Sequence, residues 1–118
     1  MKATSVFLLV VLMLGTFLAV SLPAQVPIPS IKTVDPVSGK VGDTVKAIGE
    51  NLGKQSVVQV FLTDGKNDIP CEIMDQTATV IAFKIPAKAT PMRYSVAVLT
   101  PGKEPKFIEQ PVRFEVVP

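Results

Sequence analysis

The chain has 118 residues, with 12 Lys and Arg against 10 Asp and Glu for a formal net charge of +2; 47% of it is hydrophobic, and it holds 11 Pro, one Cys, no His and no Trp. Without histidine there is no His general base, no His metal cluster and no Ser-His-Asp triad, and a single cysteine makes neither an internal disulfide nor a CxxC redox or zinc site. The near-balanced charge leaves no electrostatic footprint for nucleic acid, and the prolines disfavour a helical bundle, since each removes a backbone donor and obstructs a helix interior.

From the N-terminus, Lys2 precedes the uncharged run VFLLVVLMLGTFLAV over residues 6–20, and SLPAQ follows it. This is the order of a secretory signal peptide, expected over residues 1–24 with cleavage after Ala24, or alternatively after Ser21. The run falls short of the roughly 20 apolar residues a spanning helix needs, so an uncleaved membrane anchor is the less favoured reading. The expected location is therefore secreted, extracellular or periplasmic, with no stable membrane span after cleavage. Residues 25–30, QVPIPS, read as an extended Pro-rich tether. Residues 31–118 form one domain whose apolar core carries its stability without a disulfide.

Within that domain, IKTV at 31–34 is the first expected strand, ended by Asp35-Pro36, and PVSGKVGD is turn chemistry. A second strand is expected over 44–48, followed by the turn Gly49-Glu50-Asn51-Leu52-Gly53. A third covers 57–62 and leads into the polar turn Asp64-Gly65-Lys66-Asn67-Asp68. Ile69, Cys71 and Ile73 alternate with Pro70, Glu72 and Met74. Residues 77–85, 94–99 and 112–117 supply the remaining strands, and 100–111 reads as a long loop with Phe107-Ile108 pinned back on the core. About seven short strands with Gly and Pro turns predict an all-β, antiparallel sandwich.

The segment VDPVSGKVGDTVKAIGENLG at 34–53 narrows this further. Ile31, Val34, Pro36, Ser38 and Gly39, then Gly42, Val45, Gly49, Asn51 and Leu52, resemble the opening of an IPT/TIG domain. Val58–Leu62, Ile85-Pro86, Tyr94–Val98 and Phe114–Val116 resemble later strands of that family. The likeness covers roughly residues 29–117. It implies an immunoglobulin-like β-sandwich of about seven strands, as in plexins and many secreted bacterial proteins. Ala47, Ile48 and the stretch Thr90–Arg93 depart from the family pattern. On physical grounds, Gly49 is expected where a side chain would clash or φ is positive, and Asn51 in an Asx-type turn.

No residue set reads as catalytic, cofactor-binding or metal-ligating, and an enzyme is not expected. Cys71 alternates in register with Ile69 and Ile73 and reads as a buried small hydrophobe. The oxygens of Asp64, Asn67, Asp68 and Glu72 do not follow an EF-hand spacing and read as a hairpin turn. Asp35, Asp43 and Glu50 lie in turns that offer no cleft for a paired-carboxylate site, and Lys32, Lys40, Lys46 and Lys54 are interleaved with acids. What stands out is one sheet face. With 57–62, 94–99 and 112–117 as neighbours, Val58, Val60, Leu62, Tyr94, Val96, Val98, Val112, Phe114 and Val116 point inward. Val57, Phe61, Ala97, Leu99, Arg113, Glu115 and Val117 point outward as an interaction face too apolar for an ordinary solvated surface. The expected function is a non-enzymatic, secreted or cell-envelope protein-interaction or adhesion module whose partner is another protein or a second copy. The alternative is a carbohydrate-binding or carbohydrate-associated module, disfavoured by the lack of Trp and the single Tyr.

Overall fold

The period-2 segments form strands because each places an apolar row on one side and a polar row on the other. In the computed structural model, which describes residues 27–118, these are β1 (Ser30–Asp35), β2 (Ser38–Gly39), β3 (Thr44–Glu50), β4 (Gln59–Thr63), β5 (Asp68–Gln76), β6 (Val80–Lys84), β7 (Met92–Leu99) and β8 (Phe107–Val116). No helix occurs among the described residues. The signal-peptide segment 1–24 and residues 25–26 of the tether lie outside the described residues.

The protein is all-β. Its eight strands join in one sheet of order β1-β3-β6-β5-β4-β7-β8-β2. Every neighbouring pair is antiparallel except β2 and β8, which run parallel, so the sheet is mixed rather than purely antiparallel. The eighth element is β2, which has only two residues and therefore no alternation to read. It is clamped to β8 by Glu115 N donating to Val37 O (3.0 Å) and Val117 N donating to Gly39 O (2.9 Å).

The long strand β5 holds the two halves together. Asp68 to Cys71 pair with β4, whereas Glu72 to Gln76 pair with β6. Where the ladder divides, side-chain amides complete it: Gln59 Nε2 donates to Cys71 O (2.7 Å), and Gln76 Nε2 donates to Leu52 O (2.8 Å) and Val57 O (2.9 Å). These bonds satisfy part-buried carbonyls, of which those of Leu52 and Val57 are reached by no strand pairing. The sheet curls until β1 meets β8, where Ile31 N donates to Gln110 Oε1 (2.7 Å). Inside lies one core, with Ile31, Val45, Ile81 and Phe83 from one half and Val60, Leu62, Tyr94, Val96, Val98 and Phe114 from the other.

Two expectations about chain path need correction. The stretch 100–111 is not a loop throughout, because β8 begins at Phe107 and pairs Phe107 with Leu99, Ile108 with Val98 and Glu109 with Ala97. Register then shifts between Ser95 and Ala97, so that Gln110, Pro111 and Val112 together face Val96. Pro111 sits in this bulge, a place that tolerates its missing N–H, and the bulge turns Gln110 inward to reach β1. Second, the strand expected to start at Val57 starts at Gln59. Residues 53–57 form a turn in which Ser56 N and Val57 N both donate to Gly53 O. Val57 is therefore 0% exposed in the core while Val58 is 48% exposed, the reverse of the alternation expected from the strand.

The GENLG turn shows why its residue types are needed. Gly49 has no positive φ; a Cβ there would collide with the carbonyl oxygen of Ser30 and lie 2.9 Å from Ile31 Cα. Asn51 adopts φ 57°, a left-handed conformation that Asn tolerates better than most residues. Its Nδ2 donates to Ile28 O at 3.1 Å, which pins the chain entering β1. Leu52, next in line, is fully buried.

Candidate interaction face

The outward side of β4, β7 and β8 is defined by register. Successive rows across it are Leu99 with Phe107; Phe61 with Ala97 and Glu109; Thr63 with Ser95 and Arg113; and Arg93 with Glu115. Phe61 and Phe107 flank β7 from opposite sides, yet their ring centroids lie 5.3 Å apart at an interplanar angle of 54°. The rings therefore lean together over β7, in the tilted geometry that aromatic quadrupoles favour. Ala97 lies beneath them. It points outward in register but is 0% exposed and lies outside the core cluster. A larger side chain at 97 would hold the rings apart.

Of the seven residues expected on this face, Phe61, Ala97 and Leu99 come together at its aromatic end, with Phe61 and Leu99 half-buried. Arg113 and Glu115 are exposed at the other end, and Val117 is half-buried just beyond β8. Val57 does not belong, since the turn at 53–57 sends it into the core. Ala97 belongs as the floor of the aromatic pair rather than as contact surface. Sequence reasoning missed three members: Phe107, 44% exposed, and the exposed Glu109 and Arg93. The signal was present as the alternation Phe107, Glu109, but it was hidden inside a proline-flanked segment that reads as loop.

The face divides into an aromatic end and a charged end. Beside the charged end the β8 bulge leaves a groove of about 660 Å³ lined by Val37, Ser38, Arg93, Pro111, Arg113 and Glu115. Arg93 and Glu115 share a row, and Glu109 and Arg113 sit one row apart. Neither pair closes to an ion pair; the ion pair found among the described residues is Lys32–Glu50 (3.3 Å), exposed on the other half of the sheet.

Other chemistry-bearing side chains are committed elsewhere. Cys71 is 1% exposed, and burial pushes its thiol up to about 12. Asp64 Oδ1 accepts from Asn67 N (2.7 Å) and Lys66 N (2.8 Å). Those bonds, Asn67's first, hold its carboxyl below the ordinary range, so the charge serves its own turn. Asp43 Oδ2 likewise accepts from Lys40 N (2.9 Å). Among the described residues no cluster of three or more His, Cys, Asp or Glu is placed to hold a metal ion. No family model matches this sequence, and neither does any curated protein.

Proposed function

We propose that this chain is a non-enzymatic protein-interaction module, exported to the cell envelope or beyond, that binds through the outward face of β4, β7 and β8. The observation that carries the reading is the Phe61–Phe107 pair, an aromatic surface with Phe107 44% exposed and Leu99 beside it, on a sheet side whose other end is charged. Aromatic residues and arginine are the residue types enriched at protein contacts. The apolar leader over 6–20 supports export.

Within this reading the scaffold is an immunoglobulin-like sandwich of the IPT/TIG kind. Support comes from Tyr94, near the start of β7, whose hydroxyl accepts from Thr90 N at 3.0 Å, the arrangement of a tyrosine corner. The close β1–β3 approach at Gly49 and the left-handed Asn51 give physical reasons for the GENLG residues that carry the resemblance. The glycan alternative has weaker support. Tyr94 is 2% exposed, and rings tilted by 54° make no flat platform for a sugar.

The test is cross-linking of the exported chain in its native setting, comparing wild type with Phe107→Ser. Protein adducts are expected from the wild type and not from the variant, which should still fold, its stability lowered only by loss of the Phe61–Phe107 packing, about 0.5–1.5 kcal/mol. Adducts that persist unchanged in the variant would refute the assignment of this face, and binding on a glycan array that Phe107→Ser abolishes would favour the alternative.

A further inference from the structure

Resting on that reading of the face, we infer that its partner is a second copy of the chain, docked about a two-fold axis that lies in the interface and crosses the strands at the level of Val96. The four outward rows are evenly disposed about that level: Leu99 and Phe107 lie three β7 positions to one side and Arg93 and Glu115 three to the other, with the Ala97–Glu109 and Ser95–Arg113 rows between. At 3.3 Å per residue the outer rows are about 20 Å apart. A two-fold axis there reverses the rows while keeping β8 over β8. Glu109 then meets Arg113 of the second copy, twice by symmetry, and Phe107 meets the second copy's Arg93–Glu115 row.

Three observations favour this occupant over an unlike protein. On β7 and β8 the exposed charges of the face are Arg93 and Arg113 with Glu109 and Glu115, so the face is neutral and does not repel its own copy. Glu109 and Arg113 form no ion pair among the described residues, and each is the charge the other needs across the axis. The exposed Phe107 and the groove of about 660 Å³ lined by Arg93, Pro111, Arg113 and Glu115 lie toward opposite ends, as complementary parts must in an isologous contact.

The experiment is sedimentation of the purified, exported chain up to about 1 mM, the weak end of measurable association. The wild type is expected to dimerise. Arg113→Glu and Glu109→Arg should each weaken the dimer at least about tenfold, because each sets like charges together at both contacts. Mixed in equal amounts, the two single variants should form a one-to-one heterodimer, since each then meets its opposite at both positions. Melting temperatures of the variants serve as the control for folding. A wild type that stays monomeric overturns the inference, as does a dimer indifferent to both reversals, or single variants that fail to associate on mixing. A monomer that still loses adducts to another protein on Phe107→Ser would leave the broader reading standing while this one falls.

Discussion

Replacing Gly49 by alanine tests the most obstructed glycine among the described residues. The added Cβ would collide with Ser30 O and lie 2.9 Å from Ile31 Cα, and both obstacles are backbone rather than flexible side-chain ends. Relief requires β1 to move away from β3. That movement breaks the Ile31–Gly49 pairing and strains the Ile31 N to Gln110 bond of 2.7 Å. Overpacking costs about 1–3 kcal/mol, and a weakened backbone hydrogen bond adds about 0.5–1.5 kcal/mol. Gly49→Ala should therefore destabilise by about 2–4 kcal/mol. In urea, with a slope near 1 kcal/mol/M for a domain this small, the midpoint should fall by about 2 M or more. Gly53 in the same turn is the control. Its nearest obstacle is Ala78 Cα at 3.9 Å, and its φ is not positive. Gly53→Ala should stay within about 0.5 kcal/mol of wild type. Equal effects at the two glycines, or a Gly49→Ala midpoint at the wild-type value, would contradict the close approach of β1 to β3.

Cys71 should resist thiol reagents in the native protein and label once denaturant is added. Its raised value also sets a pH dependence: the unfolded thiol ionises above about 9 while the buried one stays neutral to about 12. The stability this difference supplies is complete below pH 9 and is lost as pH rises toward 12. Between pH 8 and 10 the wild type should lose about 1 kcal/mol relative to Cys71→Ala, read from paired urea melts. Gln110→Leu removes the acceptor of Ile31 N and leaves a buried donor unpaired; a loss of about 1–3 kcal/mol is expected, with faster hydrogen exchange at the Ile31 amide. Tyr94→Phe removes the hydroxyl that accepts from Thr90 N and should cost about 1 kcal/mol in a thermal melt.

The strands were legible in the sequence wherever one face is buried, because Val45 and Ala47, Val60 and Leu62, or Val96 and Val98 recur at period 2. Legibility failed where a single local feature displaced the chain. The turn at Gly53 to Val57 reverses the phase just before β4, so alternation extended backward misassigns Val57 and Val58. Proline at 111 reads as a break, but in a bulge it interrupts β8 without ending it. The partner change within β5 leaves no mark, since Asp68 to Gln76 remain extended on both sides of it. Nothing in the sequence marks Gln59, Gln76 and Gln110, because their backbone partners across the fold depend on a topology that composition does not carry. Of the candidate face, Phe61, Leu99, Arg113 and Glu115 were readable from β-strand parity. Phe107, Glu109 and Arg93 depended on where β7 and β8 begin.

The claim on which the functional account rests is that the aromatic end of the β4-β7-β8 face touches another protein chain. Photo-cross-linking of the exported chain in its native setting tests it directly, with benzoylphenylalanine placed in turn at Phe107 and at Ile48. The two sites are similarly exposed, at 44% and 40%, but Ile48 lies on β3 in the opposite half of the sheet. The account predicts protein adducts from position 107 and none from position 48. Equal yields from both positions, or none from position 107, would contradict it.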